Sequence, residues 1–314
     1  MSLITPSQQN LVPPQPAHSV RTGWIVLGSV VAGLAMALLW SFELVDSVIG
    51  DNVANTVLGH DAKHDAITGT AAGLLFAFVS GFAGTFTACN IAMAATVGPM
   101  TRLQAHEMHG QRATWRVLLR PMRLLVAGMV AVSACYGFAG VLLGARLPQL
   151  STDRIGDFPV RLMQSSVVFG IIGLALVYLG LASLGVLPDV FRNRPAARVI
   201  TLGALIGGFL IGRPYPLFNK LFHWAVEAGN PFYGALAFVL QSLGNVLLVS
   251  CLFALLLLLT RGRFTGWLAR SPRATAIVTG GLLLALGVFT VVYWDLRVPS
   301  TFSGGWFPVL PYNR

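Results

Sequence analysis

Few residues in this chain could carry chemistry, and the ones that could sit in apolar surroundings. Cys89 closes the run Ser80-Gly81-Phe82-Ala83-Gly84-Thr85-Phe86-Thr87-Ala88-Cys89, with Asn90 beside it. A thiol exchanges disulfides as its thiolate, and apolar burial raises its pKa unless a cation stands near. Arg213, in Gly212-Arg213-Pro214-Tyr215-Pro216, is the candidate cation. An arginine near the middle of a bilayer costs at least about 2.5–3.5 kcal/mol, so it normally pairs or lines a cavity. Arg213 is therefore expected to support either a Cys89 thiolate or an anionic substrate. Tyr215 and Asn90 offer hydroxyl and amide contacts in the same place. The structural alternative is that Arg213 bonds carbonyls freed by Pro214 and Pro216. Cys135 and Cys251 fall mid-helix, where core packing as small hydrophobes is the commoner role for cysteine.

The remaining polar clusters suggest less. His60-Asp61 and His64-Asp65 are spaced by one helical turn, but two histidines make an incomplete metal site, and a solvated helix face is expected. His106 and His109, beside Glu107, read the same way, and His223 reads as an interfacial residue. The apolar tail around Trp306, Phe307 and Tyr312 suits a membrane surface or a partner groove. There is no H-E-x-x-H, no G-x-S-x-G and no phosphate loop in the sequence, and no metal or cofactor is expected.

These side chains have to be positioned by membrane helices. Of the 314 residues, 10% are charged and 55% hydrophobic, and mean hydropathy is +0.73. Soluble domains carry about 25% charge, so a soluble enzyme, a disordered chain and a disulfide-stapled secreted domain are excluded. The three cysteines show no zinc spacing. The net charge of +10 comes mainly from arginines between apolar runs, which argues for membrane topology and against nucleic acid. Spanning runs of about 20 residues cover Gly23–Leu44, Ile67–Val97, Leu124–Leu147, Val167–Leu187, Val199–Phe222, Pro231–Leu259 and Thr275–Trp294. The expected fold is an all-α polytopic membrane protein with seven transmembrane helices. Residues 1–22 form a flexible cytosolic tail, 23–295 the transmembrane domain and 296–314 an extracytoplasmic aromatic tail.

With the N-terminus cytosolic, the cytosolic segments hold 13 cations and two acids, and the opposite side seven cations and nine acids. This asymmetry places the N-terminus in the cytoplasm and the C-terminus outside the cell membrane. Two of the runs are interrupted. One softens around Gly81 and Gly84; the other meets Pro214 and Pro216, which remove intrahelical hydrogen bonds. They lie three helices apart and start from opposite sides, as in an inverted 3+3 repeat of about 67–187 and 199–295 preceded by one extra helix. Gly81 and Gly207 stand at matching distances before Cys89 and Tyr215, and Gly173/Gly180 mirror Gly280/Gly287.

The stretches Ser80 to Ala92 and Gly207-Gly208-Phe209-Leu210-Ile211-Gly212-Arg213-Pro214-Tyr215-Pro216, with Gly229 to Leu248 after them, resemble the transmembrane thiol-disulfide carriers of the CcdA/DsbD (cytochrome c biogenesis) family. The resemblance covers about residues 67–295. It implies one cysteine per repeat, relaying electrons from cytosolic thioredoxin to an extracytoplasmic thioredoxin-like partner. Cys89 matches the first cysteine; Tyr215 stands in place of the second, and Ala88 in place of the proline before the first. The resemblance implies thiol exchange at Cys89 with Arg213 as electrostatic support, in a redox or maturation step. Two other functions fit the residues: transport of a small anion or thiol compound using Arg213, or a non-catalytic subunit or assembly factor of a membrane complex.

Overall fold

A computed structural model describes residues 20–84, 115–259, 272–310 and 312. The described residues are mainly helical. In chain order they form α1 (Val20–Leu39), a π-helical turn (Glu43–Gly50), α2 (Asp51–Leu58), α3 (Thr70–Ala83) and α4 (Trp115–Leu143). A two-residue hairpin (Arg154–Ile155 with Phe158–Pro159) precedes α5 (Val160–Ser183). Then follow α6 (Pro195–Gly208), α7 (Pro216–Glu227), α8 (Pro231–Leu259) and α9 (Pro272–Val291), which continues into a π-helical stretch (Val292–Arg297).

Four helical segments, Thr22–Leu39, Arg120–Arg146, Val160–Ser183 and Arg273–Ser300, are long and apolar enough to cross a membrane. Thr70–Ala83, Pro195–Gly208 and Pro231–Leu247 are shorter apolar helices. Val167, Ile171 and Leu174 on α5 are each more than 60% exposed. Such a stripe suits contact with lipid tails far better than contact with water. These features are compatible with a multi-pass membrane protein.

α5 packs on α9, α4 on both α6 and α8, α3 on α8, and α1 on α9. Glycine sets the closest approaches. A Cβ added at Gly180 would lie 2.7 Å from Leu284 N and 2.9 Å from Gly280 O, and one at Gly173 would lie 3.0 Å from Gly287 O. Small residues let helix backbones approach in this way where no hydrophobic effect drives helices together. Gly180→Val is expected to lower the thermal midpoint in detergent, at a cost of about 1–3 kcal/mol for overpacking. Gly28→Val, at a position with nothing within 4 Å, should leave it unchanged.

The close contacts repeat under exchange of helices. Gly173 meets Gly287 and Val291, and the positions 107 residues later or earlier, Gly280 with Gly180 and Leu184, meet likewise. Gly81 meets the Gln241 carbonyl, as Gly203 meets that of Leu125; Gly244 meets Phe78 O and Phe82 N, as Gly128 meets Ile200 O and Ala204 N. Gly207, matched to Gly81 by sequence spacing, likewise meets the Met129 carbonyl.

α7 is a short helix tucked into the bundle. Leu217, Phe218, Leu221, Phe222 and Ala225 are buried, and Phe218 and Phe222 meet Phe238 of α8 at ring distances of 5.3 and 5.5 Å.

Candidate functional site: a cavity at the broken helix

The break between α6 and α7 follows from its sequence. Gly207-Gly208 weaken the end of α6. Pro214 cannot donate a backbone hydrogen bond, and Pro216 opens α7 at a first-turn position where proline is tolerated. The carbonyls freed there need donors. Gln164 Nε2 donates to Ile211 O at 2.8 Å, and Gln149 Nε2 to Arg213 O at 3.0 Å and to Asn219 Oδ1 at 2.6 Å. Two glutamines from other parts of the chain thus satisfy Ile211 O and Arg213 O. Gln149→Leu should cost about 1–3 kcal/mol by leaving Arg213 O without that donor, read as a lower midpoint in thermal denaturation.

Arg213 is half-buried and turns the other way, towards the end of α3. Its Nη2 lies 3.5 Å from Gly84 O, and its Cζ is 5.2 Å from the Tyr215 ring centre. Gly84 makes room for the guanidinium, since a Cβ there would stand 2.8 Å from Cζ. The break and the end of α3 therefore do meet, as the two soft runs suggested.

Arg213 and Pro214 line a central cavity of about 60 Å3. Gly81 of α3, Met129 of α4, and Gln241, Ser242 and Asn245 of α8 complete its floor. Trp40, Phe169, Phe209, Phe289, Tyr293 and Trp294 form an aromatic wall, with Phe169 stacked on Trp294 at 4.4 Å. Gln241 is 1% exposed. Its Nε2 lies 3.3 Å from Ser80 Oγ, while its Oε1 has no partner among the described residues. Ser133 Oγ donates to Met129 O at 2.9 Å, so Ser242 must donate in the 2.5 Å contact between the two hydroxyls. A guanidinium, a buried acceptor without a partner and an aromatic wall suit a small anion that also carries an N–H, O–H or S–H donor.

Other expected site residues fall elsewhere. Cys89 and Asn90 lie outside the described residues, as do His106, Glu107 and His109. Tyr215 is 1% exposed but does not line the cavity; its hydroxyl donates to Asp51 Oδ1 at 3.0 Å. Asp51 in turn faces Lys63 Nζ at 3.6 Å. Cys135 and Cys251 are free and exposed, which corrects the expectation of core packing. The spacing of α4 and α8 fixed their depth in the bundle, whereas the helix rotation that turns them outward depends on packing.

The His60–Asp65 segment is a turn, not a helix face, because Gly59 (φ 74°) ends α2. His64 Nδ1 lies 2.8 Å from Asp61 Oδ2, and His60 Nδ1 lies 3.2 Å from Asp65 Oδ2. Among the described residues no group of three His, Cys, Asp or Glu could hold a metal. Lys220 of α7 ties this turn down by donating to Ala62 O at 2.6 Å and to Asp65 O. The His64 side chain, then the backbone N–H groups of His64 and Lys63, hold the Asp61 carboxyl down to about 2. A depressed carboxylate supports its fold above its ordinary pKa and loses that support as pH falls through the folded value. Carboxyl NMR should therefore place the Asp61 titration near 2, and His64→Ala should return it towards 3.8.

The tail folds back on its own chain. Tyr312 donates to Leu39 O at 2.8 Å, and Arg297, 6% exposed, donates to Ala37 O and Trp40 O at 2.6 and 2.7 Å. Arg297 thereby satisfies carbonyls at the end of α1.

Compared with protein-family models, curated proteins and solved structures, the chain matches none. The site is therefore read from its own geometry. Sequence reasoning missed Gln149, Gln164 and Gln241; the available signal was a lone amide within an apolar run, at Gln164 and Gln241.

Proposed function

We propose that this protein is a membrane carrier for a small anion bearing a hydrogen-bond donor, bound in the central cavity by Arg213 and Gln241. The observation that carries this reading is the half-buried guanidinium at a helix break, on the same cavity as an unpartnered buried amide oxygen. Broken helices beside a mid-bundle site are the usual setting for solute binding in secondary transporters.

The proposal includes seven spans in an inverted 3+3 repeat, N-terminus in the cytoplasm and C-terminus outside. The exchange symmetry of the glycine contacts supports it: α3 takes the place of α6, α4 of α8 and α5 of α9. Matching Gly81 to Gly203 puts Ile211 opposite Cys89, and matching it to Gly207 puts Tyr215 there. The arginine-rich ends of α5, α6 and α9 support the orientation. Carriage would proceed by the two repeats rocking about the cavity.

Thiol exchange of the CcdA/DsbD type is the second reading. Its specific support is the contact of Arg213 with Gly84, five residues before Cys89. Counterflow in liposomes separates the two. The probes are 2-hydroxyethanesulfonate and 2-mercaptoethanesulfonate, which carry an O–H or S–H donor, stay ionised and do not leak as neutral acids. The carrier reading expects exchange by the native protein and by Cys89→Ser, and none by Arg213→Leu. Loss on Cys89→Ser would favour thiol chemistry. Exchange no faster than in empty liposomes would reject carriage of these anions.

A further inference from the structure

A second cleft, of about 510 Å3, opens where α5 ends and α6 and α9 begin. It shares none of its lining with the central cavity. Arg198 lines it and is only 7% exposed. Its Nη1 pairs with Asp189 Oδ2 at 2.8 Å, and its Nη2 donates to Leu179 O at 3.3 Å and to Ser183 Oγ. Its Nε–H has no partner among the described residues. The same is true of the hydroxyl of Thr279, 3% exposed, on the facing wall.

Two deeply buried donors left over in one cleft call for an acceptor. The acid nearby is already engaged: Asp189 Oδ2 takes Arg198, and its Oδ1 accepts the Phe191 N–H at 2.9 Å. Of the remaining polar lining, which includes Thr275, the exposed guanidinium of Arg192 and the amide of Asn193 can also donate. α6 begins at this cleft with Pro195 and has no side-chain cap, so its first N–H groups add positive partial charge. The cleft is far larger than a single halide needs.

We propose that this cleft binds a phosphate group, with Arg198 Nε, Thr279 Oγ1 and Arg192 as its donors. Several oxygens on one anion match several donors on converging elements. A phosphate could come from an anionic lipid headgroup at the arginine-rich membrane face or from a free phosphate. The proposal does not depend on the carrier reading.

Thermal midpoints of the full chain in detergent, titrated separately with inorganic phosphate and with short-chain phosphatidylglycerol, test it. Short-chain phosphatidylcholine is the control for a zwitterionic headgroup. A saturable rise with phosphatidylglycerol alone assigns a lipid headgroup, and a rise with inorganic phosphate assigns a free anion. In either case Thr279→Val and Arg192→Gln should each weaken the apparent affinity about tenfold. Neither substitution breaks the Arg198–Asp189 pair, and circular dichroism confirms that both variants fold. No saturable rise with either probe, or a rise that both variants retain in full, would overturn the proposal.

Discussion

Replacing Arg213 by leucine should weaken binding of a small sulfonate to the central cavity by about ten- to a hundredfold. Hydrogen bonds to a charged group contribute about 1.5–3 kcal/mol each. Trp40 and Trp294 line the cavity, so tryptophan fluorescence reads the titration directly. Arg213→Lys should recover part of the loss. It restores the charge but not the planar pair of donors that a sulfonate or carboxylate accepts. The carbonyls of Arg213 and Ile211 keep their donors in this variant, because Gln149 and Gln164 satisfy them. An equal loss of binding and of folded protein would instead mark Arg213 as structural.

Gly84→Ala should reproduce most of that binding loss with Arg213 intact. The added Cβ would stand 2.8 Å from Arg213 Cζ, so the guanidinium must move. It is the far end of a flexible side chain, and the folding cost should stay within about 1 kcal/mol, below the usual range for overpacking a rigid core. The contrast with Gly81 tests the same geometry. A Cβ at Gly81 would run into the Gln241 backbone, which cannot swing aside, so Gly81→Ala should lower the thermal midpoint as well as binding.

The break in the second soft run was legible in the sequence because proline and glycine act locally. Pro214 and Pro216 each remove a backbone donor, and the helix does stop at Gly208 and restart at Pro216. The placement of Arg213 at that break, reaching towards Gly84, followed from the same two interruptions. Tyr215 was misplaced for a different reason. Sequence spacing gives its depth beside Arg213, but the turn of the chain sends its hydroxyl to Asp51.

The close helix contacts were legible only in part. α6 carries glycines at 203, 207 and 208, and spacing alone cannot tell that Gly203 and Gly207 meet the α4 backbone while Gly208 meets the Ile172 side chain. The His60–Asp65 turn was misread as a helix face, although a glycine just after a helical run, here Gly59, is a common stop signal. The glutamines were harder, since each looks like an isolated polar residue until the helix that leaves a carbonyl unpaired is in place.

The most direct test of the carrier account is whether the central cavity opens to both sides of the membrane. Ser242 lines it and is 4% exposed. In a chain with Cys89, Cys135 and Cys251 each changed to serine, Ser242→Cys gives one thiol at the site. A membrane-impermeant methanethiosulfonate reagent is then applied from one face or the other of oriented vesicles. The account predicts labelling from both faces, slowed by added 2-hydroxyethanesulfonate. Labelling from one face alone, or at a rate that 2-hydroxyethanesulfonate leaves unchanged, would contradict it.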